Sequence, residues 1–288
     1  MKNQLKIINL IKMKLISSNI LKKLFFLIVC FTVFFLITAR NVINASNLYN
    51  FEVNFWDVIF RICTYPFFII IIFLPSIVIV TGLMYKKNKY MDNVYLRIEE
   101  KRKIIYGNIL STLMLNFIIC VSIFLILIVT ALIYSKYDIG WSKGILSAND
   151  EMSILTQLYP NGFINEYTPL KAFFLSFIEI FIGLNIVIFI RDFLYEYLTQ
   201  INIANIIISL FIGVSYIFMS FPLLHKSIPA LEYISLHNIM ILWYHKFDSI
   251  SFGNISIEKS LISSSLILFT LALIRILFAR KMKVNTSD

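Results

Sequence analysis

The chain has 288 residues, 59% of them hydrophobic and 15% charged, with a mean hydropathy of +0.82. A water-soluble domain needs far more polar surface, so this composition excludes a soluble globular protein and implies an all-α polytopic membrane protein. The formal net charge of +10 is accounted for by membrane orientation, as set out below, and calls for no nucleic-acid partner.

Residues 1–23 interleave six lysines with Leu5, Ile8, Ile11 and Leu15 at helical spacing. This pattern predicts an amphipathic helix lying among lipid headgroups, bent at Ser17-Ser18-Asn19 before the first span. No small-residue cleavage site follows the first apolar run, which therefore reads as a retained span and not a signal peptide. Apolar runs of about 18 or more residues cross a bilayer as helices, and six are predicted: Leu24–Ala39, Val58–Met84, Asn108–Tyr134, Ala172–Ile190, Asn205–Leu224 and Leu261–Ala279. Pro66 and Pro75 lie in the second and predict kinks there. Cys30, Cys63 and Cys120 fall inside apolar runs without CxxC spacing, the pattern of buried thiols, not of a disulfide framework or a metal site.

Orientation follows from Lys and Arg. With the amino terminus inside, segments 1–23, 85–107, 191–204 and 280–288 carry 17 Lys/Arg against 6 Asp/Glu. The outer segments 41–57, 135–171 and 225–260 carry 6 Lys/Arg against 9 Asp/Glu. Both termini are therefore expected on the cytoplasmic side of a bacterial cell membrane.

Residues 85–107 hold the densest mixture of charge, including "LRIEEKRKIIYGNIL" from Leu96. Val94, Ile98 and Ile105 share a helical face, Glu99 precedes Lys103 by four residues in the favoured ion-pair order, and Gly107 offers a break before the third span. An apolar stripe with charges of both signs suits docking to a protein; anionic lipid would favour basic residues alone.

This charged helix after the second span, the six spans and the amphipathic start together resemble the membrane subunit of type-2 ATP-binding-cassette (ABC) exporters. The resemblance implies one transmembrane permease domain over residues 1–288, with residues 85–107 as a coupling helix. It implies that Arg97, Glu99, Glu100, Lys101, Arg102 and Lys103 contact a separate ATPase subunit. It further implies a second permease copy or paralogue, and ATP-driven tilting of the spans. The chain itself has no GxxxxGK[ST] loop; "GWSKG" at Gly140–Gly144 lacks the spacing. No cofactor is expected on this chain, with ATP and Mg²⁺ held by the partner, and membrane lipid is its surroundings. Many Phe, Ile and Leu residues suit a hydrophobic or amphipathic cargo such as a peptide, drug or lipid.

Glu179 stands midway along the fourth span, where a carboxylate costs about 2.5–3.5 kcal/mol on insertion scales. It is expected to face the bundle interior, on a substrate path or gate or as a structural anchor, with Asn116 as a candidate partner. Arg61, four residues from Asp57, and Arg275, near the inner end of its span, read as anchors that snorkel to the interfaces. The segment 225–260 contains His225, His237 and His245, and "PALEYISLHNIMILWYH" is apolar enough to re-enter the membrane without crossing it, a feature that the resemblance also implies. His237 and His245 lack metal-site spacing and read as interfacial histidines beside Trp243 and Tyr244. Asp150, Glu151 and the "YPNG" turn at Tyr159–Gly162 read as solvated loop residues.

Two other functions fit the hydropathy. An intramembrane protease of the EExxxR and FxxxH type would use Glu99-Glu100 and "FPLLH", but Ile104 stands where its arginine belongs, and His225 is expected on the opposite side of the bilayer. A non-transporting accessory or immunity protein is the stronger alternative. A co-purifying ATPase separates it from a transporter.

Overall fold

The structure is a computed structural model that describes residues 20–82, 101–146, 161–198, 200–220, 229–247 and 253–278. The segment 1–19, most of the charged segment 85–107 and His225 lie outside them. Among the described residues the regular elements are all helical, without strands. In chain order they form α1 (Ile20–Tyr49), α2 (Phe55–Cys63), a π-helix (Phe67–Phe73), α3 (Leu74–Gly82) and α4 (Lys101–Tyr134). Two short helices follow, α5 (Lys143–Leu146) and α6 (Asn161–Glu166), then the long α7 (Pro169–Leu198) and α8 (Ile201–Ser220). A 3₁₀ turn (Pro229–Tyr233), α9 (Leu236–Met240), a second 3₁₀ turn (Leu242–Tyr244) and α10 (Ile257–Phe278) complete the chain.

Five helices, α1, α4, α7, α8 and α10, are long and apolar enough to cross a membrane, and they fit a membrane-embedded protein. The pair Phe55–Cys63 and Phe67–Gly82 passes the same test jointly, bent by 52°. Pro66 sits at that bend, as expected from its missing N–H and fixed φ. The second proline acts differently. Pro75 cannot donate to the turn before it, and the backbone there widens into the π-helix, with the Leu74 N–H bonded to the Ile69 carbonyl five residues back.

Helix α7 is the axis of the bundle. In its most apolar window 61% of residues are buried, against 11% to 39% in the other four long helices. It packs on α4, α8, α9 and α10. The large apolar side chains on α1, α8 and α10 instead face outward, among them Phe25, Phe26, Leu210, Val214, Ile262 and Phe269. In water such a surface is untenable; in hydrocarbon it is the ordinary exterior.

Backbone contacts tie one end of the bundle together. The Asn54 side chain caps α2 by accepting from the Trp56 N–H, and Asp57 returns a bond to the Asn54 N–H at 2.7 Å, completing a capping box. Trp56 Nε1 donates to the Asp138 carbonyl at 2.7 Å, and Trp141 Nε1 donates to that of Tyr167 at 2.9 Å. The Gly144 N–H reaches the Glu52 carbonyl at 3.1 Å, an approach so close that an added Cβ would collide with that carbonyl oxygen. Phe60, Trp141, Phe163, Trp243 and Phe247 pack edge to face or tilted beside this layer as a largely buried aromatic cluster.

Three expectations need correction. Gly107 does not end a helix: α4 runs unbroken from Lys101, with Gly107 buried in its interior. One glycine costs a helix only about 1 kcal/mol, and Ile105 and Ile109 beside it pack on Phe189. Nor does the helix of the fourth span end with its apolar run at Ile190, since α7 continues to Leu198. Arg275 does not snorkel; it is fully buried. The latter two departures have one cause, a buried network of charge.

Candidate functional site

The network occupies the end of the bundle where α3 stops, α7 and α10 end and α8 begins. Arg191, Asp192 and Arg275 each have 0% exposed side chains, and that of Glu196 is 7% exposed. Arg191 donates from Nε and Nη2 to Asp192 Oδ1, at 3.0 and 2.5 Å. Its Nη1 donates across to α3, to the Val78 carbonyl at 2.6 Å and to Thr81 Oγ1 at 2.7 Å. Asp192 Oδ2 accepts from Thr112 of α4 at 3.4 Å and lies 3.4 Å from Arg275 Nη1 of α10. Arg275 also forks onto Glu196, with Nη2 2.6 Å from Oε1 and Nε 3.2 Å from Oε2, and its guanidinium lies 5.1 Å above the Phe189 ring.

Two guanidinium groups and two carboxylates balance, so ionised groups survive where burial of a single charge costs several kcal/mol. Bidentate Arg–carboxylate pairing also imposes direction. The four charges consequently hold α3, α4, α7 and α10 in one mutual arrangement. Helix α8 joins through a close approach: a Cβ on Gly82 would stand 3.1 Å from Asn205 Nδ2 and 3.6 Å from Arg191 Nη1.

Seen in the sequence, Arg191 and Asp192 mark only a drop in hydropathy and pass for loop residues. The signal that bears on them is the opposite sign of Asp192 and Glu196 to Arg275, all within helical reach of apolar runs. Their pairing requires the fold.

Further along α7 is a second polar level. Asn116 Nδ2 donates to Asn185 Oδ1 at 2.8 Å, and Asn185 Nδ2 donates back to the Phe181 carbonyl at 2.7 Å. Asn116 is thus bonded to Asn185 and does not partner Glu179. Glu179, 1% exposed, instead faces His245, with Oε1 3.2 Å from Nε2. The segment 229–247 brings that histidine in, because Leu236 through Trp243 are buried and Met240 and Ile239 press on Gly183 so tightly that a Cβ there would meet the Met240 side chain.

Nδ1 of His245 lies 3.0 Å from the Leu242 carbonyl. A carbonyl only accepts, so Nδ1 carries the hydrogen. Burial pushes the His245 imidazole down to about 4, opposed by its bonds to the Leu242 and Ile241 carbonyls. Burial also pushes His237 down to about 3, its ring between Tyr216 and Tyr244. The two histidines therefore face different neighbours. Glu232, the acidic residue near them, is taken by Asn254, accepting from its N–H at 3.1 Å and its Nδ2 at 2.5 Å. Among the described residues no group of three metal-ligating side chains converges.

Of the residues expected to dock a partner, Lys101, Arg102 and Lys103 form the first turn of α4. Arg97, Glu99 and Glu100 lie outside the described residues, as do Asp150 and Glu151. Arg61 lies with its guanidinium 5.8 Å over the Tyr65 ring, a cation–π contact. Compared with family models, curated proteins and solved structures, the chain matches none.

Proposed function

We propose that this chain is the membrane subunit of an ABC exporter, moving a hydrophobic or amphipathic substrate across the cytoplasmic membrane while a separate ATPase subunit supplies the energy. Six spans, the sixth being the bent pair of α2 and α3, would run with both termini cytoplasmic. The segment 229–247 would be a re-entrant element. A second permease copy would cover part of the outward-facing apolar surface of α1, α8 or α10. ATP and Mg²⁺ would belong to the partner.

The observation that supports this reading is the attachment of the charged segment. Residues 83–100 join α3 to α4, and both flanks are tied to the same buried network, through Val78 and Thr81 before the segment and through Thr112 after it. A force applied to Arg97–Lys103 would therefore reach Arg191 and Asp192 on the central helix through Thr112 and through Thr81. From there it would reach Arg275 on α10. A polar contact that switched between two arrangements would convert such a push into relative motion of helices. An isolated positive-inside loop needs none of this.

The test is ATP hydrolysis by the ATPase that co-purifies from native membranes, measured with and without this chain in lipid nanodiscs. Hydrolysis that changes with the chain present, and that a charge reversal at Glu99 and Glu100 uncouples, is expected. Hydrolysis indifferent to the chain would overturn the reading.

A further inference from the structure

We propose that Glu179 and His245 form a site for one exchangeable proton, and that its occupancy seats the 229–247 segment against α7. The inference stands on packing and is independent of transport. With the Nδ1 hydrogen committed to the Leu242 carbonyl, neutral His245 presents a bare Nε2 lone pair to Glu179 Oε1 at 3.2 Å. Two lone pairs at that distance repel, and neither atom has a hydrogen-bond partner, so a shared hydrogen is what would turn this proximity into a bond. Carried on Oε1 it gives an acid donating to imidazole; carried on Nε2 it gives an imidazolium against a carboxylate. Either way the pair holds one proton and titrates as a unit.

Glu179 Oε1, Glu179 Oε2 and His245 Nε2 are buried and none of them makes a hydrogen bond, and neither does Ser176 Oγ one turn away on α7. The Ser176 hydroxyl is the neighbouring donor on α7, and it is not bonded to the carboxyl. The ionisable groups on the surrounding elements do not substitute for His245. His237 lies between Tyr216 and Tyr244, Asp57 serves the α2 cap, and Lys171 lies over the Tyr167 ring at 4.6 Å. Glu166 and Glu258 act with Glu179 on the Tyr167 hydroxyl, and neither is a basic group. Cys63 and Cys120 line an apolar cavity that also touches Ile180. No described basic side chain other than His245 approaches Glu179 within ion-pair distance.

When the proton passes to water or buffer, a carboxylate is left facing a lone pair in a dry site, and the contact turns repulsive. The segment carrying His245 holds α9 against Gly183, so release of the proton should loosen that seat.

The experiment uses the full chain in lipid nanodiscs. Infrared absorption of the carboxylic acid and ¹⁵N resonances of the histidines count the protons on the pair as pH rises from neutral, and amide exchange of 229–247 is followed relative to α4. One proton at neutral pH, lost on alkalinisation with the same midpoint at which exchange in 229–247 speeds up roughly tenfold to a hundredfold, is the expected result. Glu179→Gln, whose amide donates permanently to Nε2, should keep the segment protected and abolish the pH dependence. Zero or two protons at neutral pH, separate midpoints, a pair that does not titrate, or a Glu179→Gln profile like that of the wild type would each overturn the proposal. Should Glu179→Gln not fold, the coincidence or separation of the wild-type midpoints still decides.

Discussion

Replacing Asp192 with Asn tests the inner network at its centre. The substitution keeps the side-chain shape and one acceptor oxygen but removes the charge that faces Arg191 at 2.5 and 3.0 Å and Arg275 at 3.4 Å. Two fully buried guanidinium groups would then share one carboxylate, Glu196. Removing one partner of a buried ion pair costs about 3–5 kcal/mol, because the remaining charge stays desolvated. At roughly 2–4 °C per kcal/mol for a chain of this size, the melting temperature should fall on the order of 10 °C. The assay is thermal unfolding of the protein in nanodiscs, read by size-exclusion chromatography. Asp192→Asn combined with Arg275→Met restores charge balance, so the double variant should be more stable than Asp192→Asn alone, with a coupling of about 1–3 kcal/mol. A loss below about 1 kcal/mol for Asp192→Asn, or strictly additive effects in the pair, would refute a network that functions as one unit.

Other perturbations probe the remaining contacts. Gly183→Leu should destabilise by about 1–3 kcal/mol through overpacking against Met240, and Met240→Ala should recover part of the loss in the same unfolding assay. Asn116→Leu leaves the Asn185 carbonyl oxygen without its donor and should cost about 1–3 kcal/mol; stability equal to wild type would show that the asparagines are not bonded. His237 and His245 are held down to about 3 and about 4 by burial, below their ordinary value near 6.5. Their contribution to stability is therefore complete above about pH 6.5 and is lost as pH falls through those folded values. His245→Asn should flatten the acid limb of the stability profile between about pH 6.5 and 4, and an unchanged limb would contradict burial of the neutral ring.

The long helices are legible because lipid imposes a single demand, that about 20 consecutive residues be apolar. The bend at Pro66 is legible for a similar reason, since a missing N–H acts locally. Helix ends are less so. The expected end at Ile190 follows from charge at Arg191 and Asp192, but these two pair with each other, and the network is completed by Arg275, more than 80 residues away, on Asp192 and Glu196. The continuation of α4 through Gly107 likewise depends on packing against Phe189. Glu179 stands out by type, as any carboxylate in an apolar run does, whereas its partner is set by how the 229–247 segment folds back. Asn116 was a reasonable candidate by depth alone; its bond to Asn185 is decided by which helix faces meet.

The most direct test of the account is recovery of an ATPase from native membranes with affinity-tagged chain, comparing wild type with a variant in which Arg97, Glu99, Glu100, Lys101, Arg102 and Lys103 are replaced by Ser. The account predicts an ATP-binding-cassette subunit in fixed ratio to the wild-type chain and its loss from the variant, with both chains inserted equally. Equal recovery from the two, or no ATPase with either, would contradict it.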